Sequence, residues 1–285
     1  IFAAHAPGAD AAVLESWDEL LAAKQLWSNS TLEVGFAPSA DVERAMLSVL
    51  ADATQHVSYH VDDIAPRDWV GEVQANWPPI VLPGCLTIRF PWHSDEDVAA
   101  VAHGGDASQA QVTLQPGMAF GTGEHQTTQL CCVALRRLLA ARHEGDAPCT
   151  VLDYGSGSGI LAFASLLFGA SRAVGVEIDD EALATSRANA AENGLADRFV
   201  AERPEVEEAR GGTYPIVVAN ILAGTIIDLA PLLAARVAPG GGLLLSGVWG
   251  ADQVAKVRPA FDGLGLGPFT VEYAEGGWAL LEAKR

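Results

Sequence analysis

The sequence predicts an α/β fold: a mostly parallel sheet with helices on both faces, closed by an antiparallel hairpin and preceded by a smaller α+β unit. Three observations carry this. From Thr150 on, strand-like runs alternate with helix-period segments: "TVLDY", "GILAFASLLFG", "RAVGVEI", "DEALATSRANAAENG". Such alternation implies parallel strands covered on both sides. A glycine-rich turn, "GSGSG" (155–159), stands at the first strand-to-helix junction, where an α/β sheet receives its ligand. The last is "FTVEYAEGGWALLEAK", two strand-like runs around a Gly-Gly turn.

Taken in order, "TLEVGF" (31–36) and "HVSYHV" (56–61) read as strands. Between them 39–53 reads as a helix, with Ser39 as N-cap and Val42, Ala45, Met46 and Val49 at helical spacing. "RDWVGEVQANW" (67–77) reads as a short helix and "CLTIRFPW" (85–92) as a strand that stops near Pro91. The segment 93–109 is polar, contains glycine and reads as irregular. "TTQLCCVALRRLLAARH" (127–143) is a strong helix, with Leu130, Val133, Ala134, Leu138 and Leu139 on one side. Gly194 closes the helix that starts at Asp180. "RFVAE" and "PIVVAN" are strands, "TIIDLAPLLAARV" a helix, "GGLLLSGV" a strand and "ADQVAKVRPAFDGL" a helix. The expected division is 1–92, a substrate-recognition α+β unit; 93–118, a linker region; and 119–285, the parallel-sheet domain.

Composition narrows the function. The net charge is −19. A nucleic-acid backbone calls for a basic face, so no direct nucleic-acid partner is expected. An acidic surface suits a basic partner such as a lysine-rich protein, or serves solubility alone. The longest apolar tract, "PIVVANILAGTIIDLAPLLAARV", is broken by Asn220, Asp228, Pro231 and Arg236. It reads as strand plus helix, and no membrane partner is expected. Cys85, Cys131, Cys132 and Cys149 show no C-x-x-C spacing, which fits a reducing compartment and no metal site. The chain starts at Ile1 rather than Met, as a fragment or processed form would.

The chemistry gathers at two stretches. Gly155, Gly157 and Gly159 form G-x-G-x-G; the dinucleotide fingerprint needs glycine at 160, where Ile160 stands. Asp153 precedes the first glycine by two residues, a carboxylate better matched to a cation than to a pyrophosphate. Glu177 ends the next strand at the offset of a ribose-binding acid. A ribose and a positive charge together describe S-adenosylmethionine. The second stretch, "AFGTGEHQTT" (119–128), is too polar for a core element. Its glycines permit unusual dihedrals and its hydroxyls offer compact hydrogen-bonding groups. Asn220 ends the strand "PIVVAN", as a site residue or as the cap of the helix that follows.

Together "FGTGEHQTT", "DYGSGSGIL", "VGVEID" and "VVANILAG" resemble the PrmA family, the bacterial methyltransferases of ribosomal protein L11. Eukaryotic relatives include the lysine methyltransferase of the electron-transfer flavoprotein beta subunit. The resemblance spans nearly the whole chain and implies a Rossmann-like class I methyltransferase sheet. It implies S-adenosyl-L-methionine as cofactor and N-methylation of lysine, and of N-terminal amines, in a ribosomal protein; the flavoprotein subunit is the alternative substrate. It implies a ferredoxin-like first domain, of which Ile1–His5 would be the second strand, so that this domain would be N-terminally incomplete. By residue match, Thr128 would contact the cofactor, with Phe120, Gly121, Thr122, His125 and Thr127 lining its pocket. Asp153, Gly155, Ser156, Gly157, Gly159, Glu177, Ile178 and Asn220 complete the cofactor set. Asn220 is the candidate for the amine, and His125 either acts on it or holds its own loop. Gln126 departs from the usual proline, Ser156 from Cys or Thr, and Glu177 from Asp. Two rivals remain: a nicotinamide dehydrogenase, against which the glycine spacing and Asp153 count, and a non-catalytic cofactor-binding assembly factor.

Overall fold

The computed structural model describes residues 2–5, 12–14, 31–34, 41, 42, 44, 77–101, 109–115, 123–143 and 147–285. The chain divides into two compact units, Ile1–Arg67 and Asp68–Arg285. In the first unit, β1 (Phe2–His5) lies between β2 (Ala12–Leu14) and β3 (Thr31–Val34), antiparallel to both. Strand β3 matches the expected run at 31–36. Within 39–53 the described residues Val42 and Arg44 are helical. The expected strand 56–61 lies outside the described residues, as does the expected helix 67–77 except for Trp77.

The second unit is built on a seven-stranded sheet. Its strands are β7 (Thr150–Tyr154), β8 (Arg172–Val176), β9 (Phe199–Glu202), β10 (Tyr214–Asn220), β11 (Val237–Trp249), β12 (Thr270–Tyr273) and β13 (Trp278–Lys284). The order is β12-β13-β11-β10-β7-β8-β9. Strands β11, β10, β7, β8 and β9 run parallel, while β13 is antiparallel to both β11 and β12. The expected closing hairpin is therefore the antiparallel edge.

Alternation along the strands divides the core between two faces. Val151, Ile216, Val218 and Leu244 belong to one apolar cluster. Leu152, Val217, Ala219, Leu243 and Leu245 belong to the other. Each fully buried side chain of this size is worth about 1.5–3 kcal/mol, so register is strongly specified on both faces. On the first face lie α2 (Gln126–Ala140) and α3 (Ile160–Leu167).

Four details differ from the expectations. The segment 93–109 contains a helix, α1 (Asp95–Val101). Ser94 and Asp97 cap it reciprocally: Asp97 N–H donates to Ser94 Oγ (3.1 Å) and Ser94 N–H to Asp97 Oδ2 (2.7 Å). This S-x-x-D signal lies in the sequence and outweighs the polar composition. A strand, β6 (Ala110–Thr113), pairs parallel with β5 (Leu86–Arg89), which pairs antiparallel with β4 (Ile80–Leu82). The buried side of α2 centres on Cys131, Cys132, Ala134, Leu135 and Leu139, whereas Val133 is 49% exposed. Finally, 225–237 is not one helix. It breaks at Leu229 into 223–228 and 230–236, with Pro231 in the first turn of the second, where its missing N–H is harmless.

Helix α4 (Asp180–Glu192) ends as expected: Gly194 takes φ +65°, and Leu195 N–H reaches back to Ala190 O (2.8 Å). All four cysteines are buried free thiols. Among the described residues no helix is long and apolar enough to cross a membrane.

Candidate active site

In the seven-stranded sheet the chain runs outward from β7 through β8 to β9, then returns to place β10 on the other side of β7. This reversal opens a crevice at the carboxyl ends of β7 and β10, the general ligand position of such sheets. Gly155–Gly159 leave β7 there, and Asn220 ends β10 there.

The turn requires glycine at defined points. Gly155 has φ +79°, and a Cβ on it would stand 2.2 Å from Ile221 Cγ2. Gly159 has φ +88°, and its Cβ would strike the Phe163 ring at 2.4 Å. Asp153, 1% exposed, accepts the Ala162 N–H on Oδ2 (3.1 Å), while its Oδ1 has no partner. Burial pushes its carboxyl up to about 7; the Ala162 N–H opposes the shift and the Glu177 charge adds to it. Ser156 Oγ, also buried, has no partner either. Two unpaired buried polar atoms at one turn call for an outside group. A cation or donor would satisfy the aspartate, and a polar group the hydroxyl; both suit an ammonium-bearing nucleoside.

Glu177 accepts three backbone N–H groups: Gly157 on Oε2 (3.0 Å), and Ile178 (2.7 Å) and Asp179 (3.2 Å) on Oε1. It therefore fastens the glycine turn to the end of β8, a structural role beyond the one expected of it. Each carboxylate oxygen offers about two acceptor sites, so Oε2 keeps capacity for a hydroxyl. Ile178, beside it, is 71% exposed, an apolar surface for a planar ring.

The loop 119–128 ends at α2. Phe120, Gly121 and Thr122 lie outside the described residues. Gly123 has φ +93°, and a Cβ on it would meet Ile88 Cδ1 at 2.2 Å, so the loop enters its helix in tight contact with β5. His125 is the N-cap of α2: its Nδ1 accepts the Thr127 N–H (3.3 Å) and lies 2.7 Å from Thr127 Oγ1. Its ring packs edge-on against Trp278 at 4.6 Å. Burial lowers its pKa, favouring the neutral ring that can accept on Nδ1. Of the two readings of His125, this contact favours the structural one.

Thr127 and Thr128 are buried at the start of α2. Thr128 Oγ1 accepts from Asn220 Nδ2 at 3.3 Å. Asn220 does not cap the following helix, whose N-cap is Leu222 without a side-chain hydrogen bond. Thus Asp153, the glycine turn and Glu177 share one edge of the crevice, while Thr128 and Asn220 meet on the β10 side.

Sequence reasoning missed Asn189 and Asn193. Asn189 donates to Ser158 O (3.0 Å) and accepts from Gln115 N–H (2.8 Å). Asn193 accepts from Thr113 N–H (2.8 Å) and donates to Thr113 O (2.7 Å). Asparagine is disfavoured inside helices because its amide competes for backbone groups. Two asparagines four residues apart in "ANAAEN" were the available signal.

A family model described as ribosomal protein L11 methyltransferase (PrmA) matches residues 6–285. A protein of that name from Dechloromonas aromatica is 40% identical over 252 residues, covering 81% of this chain and 77% of its own. Another from Pseudomonas aeruginosa is 42% identical over 243 residues, covering 83% and 75%. The crystal structure of ribosomal protein L11 methylase from Lactobacillus delbrueckii subsp. bulgaricus superposes with a TM-score of 0.62 at 31% identity, covering 73% of this chain and 99% of that one. These relatives lend nothing to the flavoprotein alternative.

Proposed function

Because the chain belongs to the ribosomal protein L11 methyltransferase family, we propose that it methylates lysine side chains of a ribosomal protein of the L11 kind, with S-adenosylmethionine as donor. The observation that carries this reading is the pair of unpaired buried atoms, Asp153 Oδ1 and Ser156 Oγ, at a positive-φ glycine turn. When bound, S-adenosylmethionine supplies an electrophilic methyl group and departs as S-adenosylhomocysteine. Asp153 receives its cationic portion, Glu177 its ribose hydroxyls, and Ile178 covers the base. Thr127 and Thr128, buried at the start of α2, form the opposite wall.

Asn220 is the residue for the amine. Its Nδ2 is given to Thr128, which leaves the amide oxygen to accept an amine N–H. That oxygen orients the amine, so that once the nitrogen is deprotonated its lone pair can face the methyl group. Deprotonating a free lysine, of pKa near 10.4, costs about 4–5 kcal/mol at pH 7. Desolvation in the crevice lowers that cost, and alignment at about 3–3.5 Å supplies the rest of the enzyme's contribution. No protein nucleophile is needed, and His125 holds the loop.

The net charge of −19 suits a basic protein partner. We assign substrate selection to 1–92, transfer to 119–285, and connection to 93–118. Labelled S-adenosylmethionine offered with purified ribosomal protein L11, and separately with the flavoprotein beta subunit, tests this. Label on L11 lysines is the expected result; label on the flavoprotein alone, or on no protein, overturns it.

A further inference from the structure

We infer that Asn189 is a positioning residue for the methyl-donor pocket: one buried side chain in α4 holds the glycine turn and the segment leading to the 119–128 loop in a single register. The inference rests on the reading of Gly155–Gly159 as the donor's turn. Asn189 is fully buried, and both ends of its amide are used. Nδ2 donates to the carbonyl of Ser158, which stands between Gly157 and Gly159. Oδ1 accepts the N–H of Gln115, just beyond β6.

The other side of the same turn is held by Glu177, which accepts the Gly157 N–H. The turn is thus clamped through consecutive residues, one through its N–H and the next through its carbonyl. Glycine backbone without side chains has the greatest freedom to drift, so a ligand that touches backbone depends on such clamps. Loss of Asn189 removes a donor from the Ser158 carbonyl and an acceptor from the Gln115 N–H, and so releases the turn from α4.

Asn193 supplies an internal control. One helical turn along, it holds Thr113 through both its N–H and its carbonyl, and donates to Asn189 O (2.7 Å). Its hydrogen bonds serve the strand and the helix, not the glycine turn. The two asparagines therefore separate tethering of β6 from positioning of the donor site.

The test compares Asn189→Leu with Asn193→Leu, matched changes of similar volume, by titration with S-adenosylhomocysteine and by Tm. Asn189→Leu is expected to raise Kd about tenfold and Asn193→Leu by less than about twofold, with both lowering Tm. Equal Kd values in the two variants, with the wild type binding, overturn the inference alone. A wild type that binds no S-adenosylhomocysteine overturns the donor-site reading, and the inference with it. Should Asn189→Leu not fold, Asn189→Asp serves instead. Its carboxyl donates to Ser158 when protonated and repels that carbonyl when ionised. Its affinity must then fall, relative to the wild type, as pH rises; parallel pH profiles overturn the inference.

Discussion

Asn220 and Thr128, 92 residues apart in the chain, are joined by a hydrogen bond of 3.3 Å from the amide Nδ2 to the hydroxyl Oγ1. The bond ties the end of β10 to the first turn of α2. It orients the asparagine by giving its donor to a fixed acceptor, and leaves the amide oxygen out of that bond.

Thr128→Val keeps the side-chain shape and removes that acceptor. S-adenosylhomocysteine affinity is expected to fall by about 0.5–1.5 kcal/mol, with a larger effect where the Asn220 amide finds no new partner. A decrease in kcat should accompany it, because Asn220 is released. Calorimetry and steady-state rates check both. Normal binding in a folded variant would remove Thr128 from the pocket.

Glu177→Ala is expected to weaken cofactor binding by about 1.5–3 kcal/mol, the range for hydrogen bonds to a charged group. Because Glu177 also receives the Gly157, Ile178 and Asp179 N–H groups, Tm should drop even without cofactor. If Tm falls while affinity holds, the side chain serves the turn and not the ribose.

Asp153 makes both stability and binding depend on pH. Its folded carboxyl is raised from 3.8 to about 7 by burial, so the native state holds a proton that the unfolded state has released. Unfolding free energy therefore declines as pH rises from about 4 towards 7. This contribution is fully present below the unfolded pKa and lost through the folded one. Asp153→Asn should flatten that slope in denaturant titrations of the ligand-free protein. A cationic cofactor favours the ionised carboxylate, so wild-type affinity should rise between pH 6 and 8. The same rise in Asp153→Asn would show that another group is responsible.

His125→Ala should cost about 0.5–2 kcal/mol of stability, the usual range for a lost N-cap. His125→Asn should recover most of it, since asparagine accepts the same N–H. The rate of methyl transfer at saturating substrates is expected to survive both changes. A rate that collapses while cofactor affinity persists would instead place His125 on the amine.

Hydrophobic period and glycine position made the strands of the seven-stranded sheet, most of its helices and the glycine turn legible from the sequence, because these depend on neighbours a few residues away. The β7-to-α3 turn needs positive φ at Gly155 and Gly159 wherever the rest of the chain lies. Asp153 and Glu177 followed from it, since their places are counted along the same strands. Tertiary structure alone decided the rest. Periodicity put Val133 on the inner side of α2; packing of that helix against α3 and the sheet buried Cys131 and Leu135 instead. Asn220 could cap a helix or reach across the crevice, and the return of β10 beside β7 brought Thr128 within its reach. The bridge from Asn189 to both Ser158 and Gln115 crosses 31 and 74 residues. Such partners are chosen by the need of each buried polar group for a hydrogen bond, and that need is met only after distant segments have packed.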